Sequence, residues 1–418
     1  MTSPVARTDP SDEGHFSSHA GLLRQLPDAG AARRVPDRAD FPRLVVVPAS
    51  RRDARLGHAA GVARMAGCPL LVLCSRDIAA RDVGQLLDQV AGPEIVLAVD
   101  VQRGFGRHEV ILTTDWAEPY RDGNPRRDVA HKRNLGIALA VMLGLPSVLF
   151  LDDDVFGLTD VDKLDTMARG MGLGALRGGS VEAVGWRFLD FPDNSVVCHA
   201  RRRLGRAQDS FVGGGGMQVG CTPATPFFPN VYNEDWLFLF DLLARDSVVL
   251  AGELFQGEYD PFAVPGHAAR QEFGDVLGES LFALLHEAGG DRGRGVSVEA
   301  LLQKALSPRW WWDRIRGRNE MIGAMVREVA SHGATTEQEL ARRYVPQRVI
   351  ESLEAAARQH TPGLPDRFAG FVASWRDDRT RWWRFLEELK PLDSGDLVEG
   401  LCRLGQSDVE LVPSGLSS

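Results

Sequence analysis

Val148-Leu149-Phe150-Leu151-Asp152-Asp153-Asp154 joins four apolar residues directly to three carboxylates. A short apolar run of this kind reads as a buried strand, and the acids then stand at its carboxyl end. Open α/β sheets receive their ligands at that end. Three adjacent carboxylates repel one another and need a compensating cation. The first and third of them, Asp152 and Asp154, are placed to turn toward one ion. A hard cation such as Mg²⁺ or Mn²⁺ takes oxygen ligands and shares them with substrate phosphates. The plainer reading, an acidic turn capping the next helix, needs one acid and not three.

Outward from this stretch, strands and helices alternate. Runs at 44–48, 70–74 and 94–100 read as strands, and 53–66 and 78–90 as the helices between them. Residues 108–114 read as a further strand, and 128–143 as the helix leading into the acidic strand. The alternation predicts an α/β fold with a mostly parallel sheet flanked by helices. Beyond Asp154 the pattern loosens. Runs at 181–189 and 195–200 suggest an antiparallel pair joined through Pro192-Asp193-Asn194. Gly213-Gly214-Gly215-Gly216 is either a segment of close backbone approach or a loop. Residues 233–243 read as a helix opening with acids.

From about Ala269 the chain reads as helical. Phe273, Val276, Leu277 and Leu281 recur at helical spacing, and so do Phe368, Phe371, Val372 and Trp375. Six of the nine Trp lie beyond residue 300, enough for that part to build a core of its own. The expected organisation is a disordered tail over 1–40, a catalytic domain over 41–268 and a helical extension over 269–418.

Composition narrows the class. The chain has 418 residues, 44% hydrophobic and 25% charged, as in ordinary soluble globular proteins. A formal charge of −9 argues against a nucleic-acid partner. No apolar run approaches the roughly 20 residues of a membrane span, so an integral membrane protein is not expected. The first 40 residues carry no apolar signal region. The five scattered cysteines form no C-x-x-C pair, which suits reduced thiols and a cytoplasmic protein.

The helix before the acidic strand opens with His131-Lys132-Arg133-Asn134. Placed there, its basic side chains suit a diphosphate held at the metal, Arg as a two-pronged fork and Lys as a point charge. A solvated helix end, with Asp128 pairing to Lys132 one turn on, is the alternative.

Lys132-Arg133-Asn134-Leu135-Gly136 followed by Leu149-Phe150-Leu151-Asp152-Asp153-Asp154 resembles the core of family 2 and related glycosyltransferases of the GT-A fold. The glycine-rich segment at 212–220 is similar to their acceptor-side segment. Phe227-Phe228 through Asn233-Glu234-Asp235-Trp236 is similar to their Glu-Asp helix start. The order of the four pieces matches, over about residues 43–268. The resemblance implies a GT-A-like domain, a nucleotide-sugar donor and a small-molecule or glycan acceptor. It implies Mg²⁺ or Mn²⁺ on Asp152 and Asp154, with His267 as a third ligand. Lys132, Arg133, Asn134 and Asp153 fall on the donor side. Ser50, at the end of the first strand, and Asp77, after the second, fall where the family holds the nucleobase, with Asp100 a further candidate. Asp235 matches the general base of an inverting transfer, and Glu234 falls where acceptor hydroxyls bind. Acids at a helix N-terminus are also favoured by its dipole alone.

The chain departs from the family where Ser75-Arg76-Asp77 replaces Asp-Gly-Ser, and in lacking the Gln-x-x-Arg-Trp motif and membrane helices of processive synthases. Two readings compete: a sugar nucleotidyltransferase, which opens with a glycine-rich loop that Pro48-Ala49-Ser50-Arg51 lacks, and a catalytically inactive GT-A-like binding module. An Asp-x-Asp-x-Thr phosphatase is disfavoured by Phe156 in the threonine position.

Overall fold

The structure is a computed structural model. It describes residues 19–26, 36–88, 90–106, 110, 112–116, 128–173, 180–189, 195–206, 212–289, 297–332, 346–392 and 395–413. In chain order the strands and helices begin with β1 (Arg24–Gln25), β2 (Val45–Ala49), α1 (Leu56–Ala66), β3 (Leu70–Cys74), α2 (Val83–Leu86) and β4 (Val96–Asp100). There follow α3 (Thr113–Trp116), α4 (Val129–Met142), β5 (Ser147–Leu151), β6 (Val155–Phe156), α5 (Val161–Gly172), β7 (Ala183–Leu189), α6 (Val196–Arg203) and β8 (Val212–Gly220). The chain continues through α7 (Glu234–Ala244), β9 (Val248–Gln256), α8 (Gly266–Gly289), α9 (Val298–Ala305) and α10 (Pro308–His332). It closes with α11 (Pro346–Ala357), α12 (Leu364–Glu388), α13 (Leu397–Arg403) and β10 (Val409–Val412).

The strands form one mixed sheet in the order β1-β9-β7-β8-β5-β2-β3-β4-β10, with β6 on β9. Strands β5, β2, β3 and β4 are parallel, and their βαβ connections bring four carboxyl ends to one edge. Apart from Ser147 at the start of β5 and Asp100 at the end of β4, these strands are apolar because both sheet faces are covered. On β2, Val45 and Val47 face a core shared with α1 and α5, whereas Val46 faces a core shared with α4, α7, α8 and α12. Helices α8, α9, α12 and α13 and the start of α10 therefore pack into the same apolar core as the sheet. α11 and the rest of α10 pack with α6 in a separate cluster, and β10 returns to the sheet edge antiparallel to β4.

The α/β class expected from the alternation is the observed one, and several local expectations differ. Within the stretch expected to be a disordered tail, residues 19–26 are ordered. Leu22 and Leu23 are buried, and Arg24 pairs with Asp246 at 3.1 Å beside the β1–β9 pairing. The expected helix over 78–90 reduces to α2 and a 3-10 turn at Ala80–Asp82. In the expected strand over 108–114, residues 113 and 114 instead open α3, whose amides donate to the Asp378 carboxylate at 2.9 and 2.8 Å; residues 108, 109 and 111 lie outside the described residues. Residues 196–200 are helical, because Ser195 caps α6 by accepting from the Cys198 amide. The proposed turn at 192–194 lies outside the described residues. The four glycines form the middle of β8, not a loop.

α6 carries a titratable group with a consequence for stability. His199 is 5% exposed, and burial, with Arg202 and Arg203 nearby, pushes its imidazole from 6.5 down to about 3. Above 6.5 the folded and unfolded chains both hold it neutral. Below that, the unfolded chain takes the proton first, so stability falls with pH across the window down to about 3. The loss is on the order of 5 kcal/mol at most. His199→Gln is expected to flatten the acid limb of the stability curve between pH 6.5 and 4; an unchanged slope in urea titrations would show that His199 does not drive it.

Candidate active site

The carboxyl ends of β2 and β5 open onto a cleft of about 440 Å³. Its walls include Ser50, Arg51, Arg76, Asp152, Asp153, Asp154, Gln256, His267 and Arg270. A smaller pocket of about 160 Å³ adjoins it and holds Arg133, Phe188, Gly213, Glu234, Asp235 and Trp236. Asp152, Val129 and Tyr232 line both, so Asp152 stands where the two spaces meet.

Arg133 ties this centre together. It is 3% exposed, and its Nη2 donates to both oxygens of Asp152 at 3.0 Å while Nη1 donates to Glu234 Oε1 at 2.8 Å. These carboxylates hold the guanidinium charged despite its burial. Burial pushes the Asp152 carboxyl up to about 6, against the opposing pull of Arg133. Asp153 is raised chiefly by burial and is paired with Arg51. Asp154 also meets Arg51, at 3.2 Å. Asp235 accepts from the Gly214 amide at 2.8 Å and the Trp236 amide at 2.9 Å. Its pKa is nevertheless raised, first by burial and then by the neighbouring Glu234.

The glycines of β8 explain how these groups fit. A Cβ on Gly214 would lie 2.5 Å from Arg133 Nη1, and one on Gly215 would lie 2.6 Å from Asp152 Oδ2. Both side chains lie flat against bare backbone. Gly215→Ala is expected to displace the Asp152 carboxylate, costing about 1–3 kcal/mol in stability through overpacking. A variant with wild-type stability in denaturant titrations would contradict the packing argument.

The other sequence candidates divide. Ser50 and His267 line the cleft with the acids; burial and the nearby Arg270 lower the His267 imidazole, favouring its neutral, ligating form. Lys132 lies beneath the cleft, fully buried, donating to Ala49 O at 2.7 Å, Ser50 Oγ at 2.9 Å and Ser75 Oγ at 2.6 Å. Its three N–H bonds pin the ends of β2 and β3, and none is left to reach a phosphate. Asn134 binds the Phe228 amide and carbonyl, each at 2.8 Å, away from both spaces. Asp100 accepts from the Ala80 amide at 2.9 Å, and Asp77 is exposed; neither lines the cleft.

Sequence reasoning assigned no role to Tyr232, Gln256 and Arg270, and placed Arg51 only within Pro48-Ala49-Ser50-Arg51, the segment where the resembled family holds the nucleobase. Arg51 lies two residues past the end of β2, and Arg270 sits about one helical turn after His267; both positions were signals.

Whether a divalent cation suits the cleft is testable on the atoms present. Asp153 Oδ2 is buried with no donor among the described residues, and so is Gln256 Oε1. Two orphaned oxygen acceptors beside Asp152 and Asp154 make an oxygen-rich set that a hard cation fits. A second buried acidic group lies elsewhere: Cys198, Asp275 and Glu279 offer ligand atoms within 4.8 Å of one another. There Arg318 already bonds Asp275 and Glu279, so the compensating cation is the guanidinium.

No protein-family model and no curated protein matches the chain. Among solved structures it is similar to glucosyl-3-phosphoglycerate synthase of M. tuberculosis, at 15% sequence identity and a TM-score of 0.35, over 58% of this chain and 80% of that one. A likeness that distant carries no functional argument. Among the described residues, no helix is long and apolar enough to cross a membrane.

Proposed function

We propose that the chain is a divalent-cation-dependent glycosyltransferase of the GT-A type, moving a sugar from a nucleoside-diphosphate sugar to a hydroxyl of a compact acceptor with inversion. The observation that carries this reading is the pair of adjoining spaces that share Asp152. The larger, floored by Asp152, Asp153 and Asp154, has room for a nucleotide. The smaller, walled by Phe188, Tyr232 and Trp236 and bearing Asp235, has room for about one sugar ring. Aromatic walls with carboxylates suit a neutral polyol, whose C–H faces stack and whose hydroxyls donate.

In this reading Asp152 and Asp154 hold Mg²⁺ or Mn²⁺, with His267 and Gln256 within the same cleft. The bound cation supplies Lewis-acid neutralisation of the departing diphosphate. Asp235 accepts the proton of the acceptor hydroxyl as its oxygen attacks the anomeric carbon, and the bond from that carbon to the diphosphate oxygen breaks. Its raised pKa, still with both oxygens oriented by backbone amides, suits a base. Glu234, held by Arg133, is the less suitable proton acceptor and instead fixes the guanidinium beside Asp152.

The reading is tested by melting the chain with each common nucleoside diphosphate, with and without Mn²⁺. Ligands that bind only the folded chain raise its midpoint. One nucleotide is expected to stabilise it, and only with the metal. Stabilisation by a nucleoside triphosphate with a sugar phosphate, and by no diphosphate, would favour a nucleotidyltransferase instead.

A further inference from the structure

We propose that Arg51 is a two-position residue of the donor cleft: it holds Asp153 and Asp154 together before the cation arrives, then releases Asp154 and binds the donor diphosphate. The inference rests on the donor-site reading above and adds a residue and an order of events to it.

The geometry of Arg51 sets it apart from Arg133. Arg133 is buried, with both terminal nitrogens bonded to Asp152 and Glu234. Arg51 is about half exposed (51%) and lines the cleft. Both of its contacts, to Asp153 and Asp154, use the single nitrogen Nη2. Among the described residues, Nη1 and Nε have no protein acceptor, so much of a five-donor fork faces the cleft unused. The backbone beneath it is fixed: the Ala54 amide donates to Arg51 O at 3.3 Å, and the Arg55 amide donates to Asp153 O at 3.1 Å. A long side chain on an anchored turn moves by rotation about its own bonds, with no change in the fold.

Charge supplies the direction of the movement. One guanidinium faces two carboxylates and offsets the charge of only one, and the orphaned Asp153 Oδ2 shows that the match is incomplete. A divalent cation taking Asp154 brings two positive charges to within a few ångströms of Arg51. Like charges at that separation repel, so the guanidinium loses its hold on Asp154. A diphosphate in the cleft restores an anionic partner, and two oxygens of one tetrahedral phosphate match the fork.

Opposite effects on two ligands follow. In the full-length chain, Arg51→Gln removes a competitor for Asp154, so Mn²⁺ alone should bind about threefold tighter by calorimetry. With Mn²⁺ saturating, inorganic pyrophosphate should bind the same variant about tenfold more weakly. Arg51→Lys, which keeps the charge without the fork, should retain wild-type Mn²⁺ affinity and lose part of the pyrophosphate affinity. Arg51→Gln leaves the buried Asp153 without its cation and should melt somewhat lower. Arg51→Lys keeps the charge there, so its thermal midpoint near wild type separates loss of the fork from damage to the fold. Both ligands weakening together in Arg51→Gln overturns the exchange and leaves Arg51 a fixed organiser of the acids. A wild type that binds both ligands while Arg51→Gln alters neither overturns this inference alone. A wild type that binds neither overturns it together with the donor reading.

Discussion

Asp235→Asn is expected to lower the rate of sugar transfer about 10²- to 10⁴-fold, the usual contribution of a positioned general base. The amide keeps the size of the carboxylate and loses its proton affinity. One cost is predictable. Asp235 accepts from two backbone amides, those of Gly214 and Trp236. An Asn can accept from one and must turn an NH₂ toward the other, an unsatisfied contact of about 1–3 kcal/mol. The variant should therefore melt lower but still fold, and it should still take up nucleoside diphosphate with Mn²⁺, because the cleft over Asp152 and Asp154 is unchanged. Lost transfer with retained donor binding assigns the base. Transfer within about threefold of wild type would place the base elsewhere, since even weak general-base assistance exceeds that.

Arg318→Leu is expected to cost about 5 kcal/mol or more, which approaches the whole stability of many domains. Arg318 is 1% exposed and carries three acids of α8: Glu272 at 2.9 Å, Glu279 at 3.0 Å and Asp275. His360 adds a contact to Glu272 at 2.8 Å, and Ser195 donates to Asp275 at 2.6 Å. Burial already pushes the Asp275 carboxyl up to about 6 with Arg318 in place. Without the guanidinium, buried acids must take up protons to stay inside, so the defect should be worst at high pH and ease as pH falls. Denaturant titrations of the variant at pH 8 and pH 5.5 check both size and sign. A loss below about 1 kcal/mol would mean that water reaches the cluster. The damage should also reach the candidate site. Asn233, which sits in the left-handed region at φ 62° just before Glu234, donates to Asp275 at 3.3 Å.

The parts of the fold legible in the sequence were those set by local pattern. The apolar run before Asp152 is β5, and the 70–74 run coincides with β3, because strands covered on both faces leave an unbroken apolar signature. The placing of Asp152, Asp153 and Asp154 at a cleft follows from the same strand. What local pattern hides is decided by partners far along the chain. β1 and β10 are edge strands of few residues that exist through pairing with β9 and β4. α6 looks like a strand because Val196 and Val197 are β-branched, yet the Ser195 cap and the buried packing against α8 and α10 make it helical. Glycine disfavours strands, so Gly213 to Gly216 gave no strand signal; Arg133 and Asp152 lying against them supply the reason for β8. In the candidate site, the residue types of the motif were readable but their division of labour was not. Lys132 and Asn134 sit in the motif beside Arg133, and only the packing reveals that both brace the backbone.

The most direct test of the account is the release of nucleoside diphosphate from a panel of nucleotide sugars, followed with a small polyol or monosaccharide acceptor present. Wild type, Asp152→Asn and Asp154→Asn are compared with Mn²⁺ and with chelator. The account predicts turnover of one donor class by wild type with Mn²⁺, and none by either variant or in chelator. Turnover that persists in chelator, or in Asp154→Asn, would contradict it.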